Sequence, residues 1–180
     1  MIILDLCGGT GAWSRPYADA GYDVRVVTLP ENNVLDYRPP TGVHGILAAP
    51  PCTEFAVSGA RWWAGKAPEL LESAIEVVRA CLRVIEEAQP IWWALENPVG
   101  RLQRCVPELG KWCYTFQPWE YGDADVKRTC MWGEHNVPVK TPVPGPYQER
   151  VWRMGPSAER ARLRSITPPG FARAFFGANP

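Results

Sequence analysis

The apolar run Ile2-Ile3-Leu4 leads through Asp5-Leu6-Cys7 into Gly8-Gly9-Thr10-Gly11, and Ser14-Arg15-Pro16 then opens a helical stretch that stops at Gly21. A buried strand, a glycine turn and a helix in that order leave few folds open. The helix has to carry the chain back across a sheet before a parallel strand can begin. Residues 24–29 are β-branched and apolar and predict that second strand. Val43–Ala48 predicts a third, ending at the Pro50-Pro51 pair, and both read as inner strands of a parallel sheet.

From Pro68 to Ala88 the apolar positions Leu70, Ala74, Val77, Val78, Cys81, Ile85 and Ala88 recur at helical spacing. Glu72, Glu76, Arg79, Arg83, Glu86 and Glu87 fill the other face, so the spacing predicts a long amphipathic helix. Residues 91–95 predict another strand, ending at Glu96-Asn97-Pro98, with Trp92 and Trp93 in the core. Strand alternating with helix gives a doubly wound α/β sheet with helices on both faces, whose ligands lie beyond the carboxyl ends of the strands. Gly8 to Gly11, Asp36, Pro50 to Cys52 and Glu96 to Pro98 all fall at such ends or on the loops they feed. Pro138, Pro142, Pro144 and Pro146 predict an extended loop, and residues 171–176 a last helix. At 180 residues, one domain over 1–180 is expected.

Net charge is zero, but unevenly laid out. Residues 1–100 carry 7 Lys and Arg against 12 Asp and Glu, and residues 101–180 carry 12 against 7. Arg150, Arg153, Arg160, Arg162, Arg164 and Arg173 crowd the second half, where they serve either as a solvated helix face or as a track for phosphates. The cysteines at 7, 52, 81, 105, 113 and 130 include no CxxC pair and read as free thiols. Cys105, Cys113, Cys130 and His135 do not match a zinc spacing, so no metal is expected. No stretch is apolar enough to span a membrane, and Met1 leads directly into a strand, which predicts a cytoplasmic protein.

Two residues carry the chemistry. Cys52 follows a rigid Pro-Pro turn at a strand end, and a helix after it would favour the thiolate; its plainer role is a small buried thiol. Glu96 follows a hydrophobic strand, where an acid is costly without a partner or a task, although it could simply cap a turn. A thiolate and a carboxylic acid together suit one reaction well. Carbon 5 of cytosine becomes nucleophilic when a thiolate adds to carbon 6 while an acid serves ring nitrogen 3.

Asp5-Leu6-Cys7-Gly8-Gly9-Thr10-Gly11, Pro50-Pro51-Cys52 and Glu96-Asn97-Pro98 stand in the order of the motifs of the cytosine carbon-5 DNA methyltransferase family, which the chain resembles over nearly its whole length. Lys127-Arg128-Thr129 is similar to the family's later basic motif, and residues 167–176 to its closing segment. The resemblance implies a Rossmann-like methyltransferase fold, S-adenosylmethionine as cofactor and DNA containing cytosine as partner. It makes Cys52 the nucleophile, Glu96 the acid and Arg128 the group near the cytosine oxygen. Asp5, Cys7, Gly9, Gly11, Thr28, Leu29, Asp36 and Pro50 would hold the cofactor, and Pro51, Asn97 and Lys127 the substrate. Arg61 and Trp62, on the loop after Cys52, would fill the gap left by a flipped base.

The chain departs from the family at Cys7, where an aromatic is usual, and at Thr28, where an acid for the cofactor ribose is usual. Residues 136–165, rich in Pro and Arg, stand where a target recognition domain would sit and are too few to form one. The pattern is that of a minimal, phage-like form. The same chemistry on a free cytidine nucleotide or RNA, and a non-catalytic α/β module that binds nucleic acid, are the competing expectations.

Overall fold

A computed structural model of the chain describes residues 1–148 and 157–180. Its six strands form one sheet: β1 (Ile2–Leu6), β2 (Asp23–Val27), β3 (Val43–Ala48), β4 (Trp92–Pro98), β5 (Tyr114–Phe116) and β6 (Thr129–Glu134). They lie in the order β2-β1-β3-β4-β6-β5. β1 pairs parallel with β2 and β3, and β3 with β4, whereas β6 runs antiparallel to both β4 and β5. The reversal has a consequence for the site. The start of β6 lies at the same edge of the sheet as the ends of β1, β3 and β4, with Thr129 opposite Pro98.

The helices are α1 (Arg15–Asp19), α2 (Pro68–Ala88), α3 (Leu102–Cys105), α4 (Ala158–Ser165) and α5 (Pro169–Ala178). Alternation along the strands sorts side chains to two faces. Leu4, Leu6, Ile46, Ala48, Leu95 and Trp132 pack with Val78, Cys81, Val84 and Ile85 of α2. Ile3, Leu47, Trp92, Ala94 and Met131 pack on the other face with Tyr17 of α1 and with Phe171 and Phe175 of α5. Burying one such Val, Ile or Phe side chain contributes roughly 1.5–3 kcal/mol, so these contacts fasten the helices. The expected α/β sheet with helices on both faces is what forms.

Several sequence expectations need correction. The second strand stops at Val27 and is an edge strand, because Asp23 and Arg25 point to solvent and the chain turns at once, the Asn32 amide donating to the Thr28 carbonyl at 2.9 Å. In α2 the buried stripe includes Val84 and leaves Leu70 52% exposed. The strand expected at residues 91–95 runs through Pro98 instead, since pairing with β6 carries Glu96, Asn97 and Pro98 into the ladder, and Ile91 stays outside. β5 and β6 come from mixed polar and aromatic text that gives no alternation. Residues 138–146 form the extended loop that the prolines predict, hung on bonds from Thr141 to Glu120 and from Val143 to Trp119. Arg150 and Arg153 lie outside the described residues. Among the described residues no helix is long and apolar enough to cross a membrane.

Candidate active site

At the end of β1 the Cys7 amide still donates to Val27, at 2.8 Å, and the chain then turns with the Gly11 amide on the Gly8 carbonyl at 2.9 Å. Cys7, Gly9 and Gly11 all take positive φ, of 57°, 54° and 67°, which a glycine adopts without strain and Cys7 does not. Asp5 lies fully buried under this turn. Its Oδ2 accepts the Ser14 hydroxyl at 2.5 Å, while Oδ1 has no hydrogen-bond partner among the described residues. A Cβ on Gly8 would come within 2.3 Å of the Asp5 carboxyl carbon, so the glycine is what lets the acid sit there. Burial pushes Asp5 up to about 6, against the lowering pull of the hydrogen bonds from Ser14. The Cys7 sulfur lies 4.0 Å from that of Cys81 on α2.

Beyond β2, Thr28 is half-buried, Leu29 is 70% exposed and Asp36 is exposed. The turn in this loop is made by Asn33, whose Oδ1 accepts the Leu35 amide at 3.1 Å. Arg83 of α2 fixes the loop from below, its Nη2 lying 3.1, 3.2 and 3.0 Å from the carbonyls of Val34, Leu35 and Tyr37.

β3 feeds the loop that carries Cys52, with Pro50 buried and Pro51 exposed. Asn97, fully buried on neighbouring β4, donates from Nδ2 to the Pro50 carbonyl at 3.0 Å. The loop then closes on the Cys52 carbonyl, which accepts the amides of Phe55 and Ala56 at 3.0 and 2.9 Å. The Val57 amide donates to Val99 and the Arg101 amide to Phe55, both at 2.9 Å, and a partly buried Glu54–Lys66 ion pair at 2.6 Å braces the far side. Cys52 is thus held in a frame tied to the end of β4.

No α-helix starts at Cys52. A tight turn follows, and then a 3-10 helix over Val57–Gly65, so the helix dipole that would have favoured the thiolate is missing. Burial pushes the thiol above its ordinary value; Lys127 and Arg164 pull it down and Glu96 pushes it up, and the upward effects win. Glu96 is buried at 8% exposure, with Lys127 Nζ 3.9 Å from Oε1 and, among the described residues, no hydrogen-bond partner on Oε2. An acid sunk at a strand end with one oxygen unspent is costly to a fold that does not use it.

Lys127 enters from the lead-in to β6, its amide held by the Gln117 side chain at 3.0 Å and its Nζ donating to the Arg164 carbonyl at 2.9 Å. Arg128 points aside, exposed, with its guanidinium 3.4 Å from the Thr115 hydroxyl. The basic group facing Glu96 is therefore Lys127. Beside this cluster opens a cavity of about 650 Å³ whose walls include Ser58, Pro98, Lys127, Arg128, Arg164 and Pro168. Arg61 and Trp62 stand together in solvent, the guanidinium 5.0 Å from the indole centre, while Arg101 covers Trp63 at 4.2 Å.

The structure thus brings Pro50, Cys52, Glu96, Asn97 and Lys127 into one cluster and sets Asp5, Cys7, Gly9 and Gly11 at the adjacent end of β1. Arg128 borders the cavity, and Arg61 and Trp62 lie outside it. Sequence reasoning missed Ser14, Glu54, Lys66 and the role of Arg164. Ser14 stands where a helix start was legible. The other three carry no local signal, because their partners are 12 to 106 residues away.

No protein-family model and no curated protein sequence matches the chain. Among solved structures, the fold is similar to that of a candidate DNA modification methyltransferase encoded within an E. coli prophage. The TM-score is 0.53 at 16% identity, over 74% of this chain and 46% of that one. A methyltransferase of Entamoeba histolytica, EhMeth, gives a TM-score of 0.46 at 12% identity, over 82% of this chain and 55% of that one. This chain spans less than half the length of the prophage protein. The fold it shares with that protein is the Rossmann-like α/β fold of methyltransferases.

Proposed function

We propose that the chain is a methyltransferase that modifies carbon 5 of cytosine in DNA, with Cys52 as nucleophile and Glu96 as acid. The observation that carries this reading is the pairing of a framed cysteine and a buried, half-satisfied carboxylate at the ends of adjacent parallel strands. The DNA modification role of the prophage neighbour agrees with it.

The residues present fit an adenosyl cofactor. The turn after β1 is built from positive-φ glycines, a Cβ on Gly9 would meet nothing within 4 Å, and the unpartnered Asp5 Oδ1 offers an acceptor beneath it. Asp5, Cys7, Gly9 and Gly11 would hold the cofactor, with Thr28, Leu29 and Asp36 beyond the neighbouring strand and Pro50 toward the thiol. S-adenosylmethionine bound there supplies an electrophilic methyl group.

The chain's own residues do the rest. Cys52 gives its thiol proton to solvent and its sulfur bonds to carbon 6 of the ring; Glu96, as the acid, gives a proton to nitrogen 3, so that carbon 5 becomes the nucleophile. After carbon 5 has taken the methyl group, its proton leaves to a base. The sulfur–carbon bond then breaks, and the Glu96 carboxylate takes its proton back from nitrogen 3. Lys127 orients Glu96, Asn97 fixes the loop through Pro50, and Pro51 and Arg128 border the incoming base. Arg61 and Trp62 would occupy the space that a flipped base vacates.

The test is a duplex containing 5-fluorocytosine, incubated with the protein and S-adenosylmethionine. Fluorine in place of the carbon-5 proton blocks the last step and leaves a covalent adduct. We expect an adduct that survives denaturing electrophoresis, is lost in Cys52→Ser and forms at least tenfold more slowly in Glu96→Gln, a loss of about 1.4 kcal/mol or more. Adduct only with a fluorinated nucleotide or RNA would move the substrate off DNA, and binding without adduct would remove the catalytic reading.

A further inference from the structure

Arg164 is the last arginine of α4, in a run that could be a solvated face. Arg162 behaves that way, exposed and paired with Glu159 at 2.8 Å. Arg164 does not. Its Nη2 reaches across to the Ser58 hydroxyl at 2.9 Å, and its carbonyl accepts Lys127 Nζ at 2.9 Å. Ser58 belongs to the 3-10 helix that follows the turn at Cys52, and Lys127 is the cation facing Glu96. One residue near the end of the chain therefore touches both halves of the cluster and also forms part of the cavity wall between them.

We propose that Arg164 is a positioning residue, which clasps the Cys52 loop through Ser58 and the Glu96 side through Lys127, and so sets the thiol, the acid and a positive charge in one arrangement. This rests on the reading of Cys52 as the nucleophile. The charged groups acting on the sulfur are Lys127 ahead of β6, Glu96 on β4 and Arg164 on α4. Two cations against one acid leave a net positive field at the site, and a guanidinium keeps its charge through the working pH range. Removing it leaves Lys127 alone to offset Glu96 and takes away the hydrogen bond to the Ser58 hydroxyl.

The experiment is alkylation of the full-length protein by iodoacetamide as a function of pH, with Cys52 followed by peptide mass spectrometry so that the other five cysteines do not interfere. Arg164→Ala is compared with wild type and with Arg164→Gln, which keeps an aliphatic stem and a polar end without charge and serves where the alanine variant fails to fold. We expect both variants to move the Cys52 midpoint alkaline by about half a pH unit or more, so that alkylation at fixed pH below the midpoint falls about threefold or more. Arg164→Lys restores the midpoint. In the adduct assay the rate at saturating DNA falls while the half-saturating DNA concentration changes little. Midpoints that coincide in wild type, Arg164→Ala and Arg164→Gln would overturn the proposal. So would a loss confined to DNA affinity, which would make Arg164 a phosphate contact. The alkylation profile needs no methyl transfer, so a wild-type protein that traps no cytosine would remove the proposed function without deciding this comparison.

Discussion

The fully buried Asp5 carboxylate makes a stability prediction whose size follows from its surroundings. Its value rises from 3.8 in the open chain to about 6 in the fold. Below the lower value both states are protonated and the shift has no effect. Between the two, the unfolded chain has lost its proton and the native one keeps it, so stability falls as pH rises; above the upper value the whole penalty is present. At 1.36 kcal/mol per unit the swing is about 3 kcal/mol. Asp5→Asn keeps an oxygen for the Ser14 hydroxyl and removes the charge, but places an amide donor where Oδ1 had no partner, which costs about 1–2 kcal/mol. The variant should therefore be more stable than wild type by about 1–2 kcal/mol near pH 7.5, and less stable by about 0.5–1.5 kcal/mol near pH 4. Urea unfolding followed by tryptophan fluorescence at intervals between those limits measures the difference. Free-energy curves that run parallel for the two proteins would refute the reasoning. The same substitution should weaken S-adenosylmethionine binding at least tenfold by calorimetry, since a charge kept at such a cost is expected to serve the ligand.

Gly133 lies in β6 at φ 124°, and a Cβ there would sit 2.1 Å from the Trp93 carbonyl oxygen, so Gly133→Ala should cost about 3 kcal/mol or more or abolish folding, read from urea midpoints or soluble yield. Asn97→Ala strands the buried Pro50 carbonyl and should cost about 1–3 kcal/mol by urea unfolding, while slowing adduct formation more than the stability loss accounts for. Trp62 is 61% exposed, so Trp62→Ala should change stability by less than about 0.5 kcal/mol and reduce adduct formation on duplex DNA more than on single strands.

The elements that could be read from the sequence are those whose signal is local. β1, its glycine turn and α2 follow from apolar spacing and from residues with special backbone freedom, and they stand where expected. β5 and β6 did not announce themselves, because a three-residue strand and a strand containing Gly133 have no alternation to show. Cys52 and Glu96 were legible as a pair through their chemistry. The state of the thiol was not, since it depends on burial and on Lys127 and Arg164, which arrive from 75 and 112 residues further along. Asp36 was singled out for the cofactor as a polar residue beyond a strand; it stands exposed in a loop whose turn is made by Asn33, which carried no such signal. Choosing between two polar side chains in one loop needs the backbone path, which composition does not contain.

The reversed strand β6 also bears on the order in which the protein is made. Residues 1–98 supply the sheet's parallel half together with the thiol and the acid, but Lys127 reaches Glu96 only after the chain has doubled back, and the Arg164 clasp comes later still. A growing chain on the ribosome therefore holds its cysteine and its acid well before it holds the two cations that act on the sulfur. A product ending before residue 127 would carry the thiol and the acid without Lys127 or Arg164, the two cations that pull the thiol down.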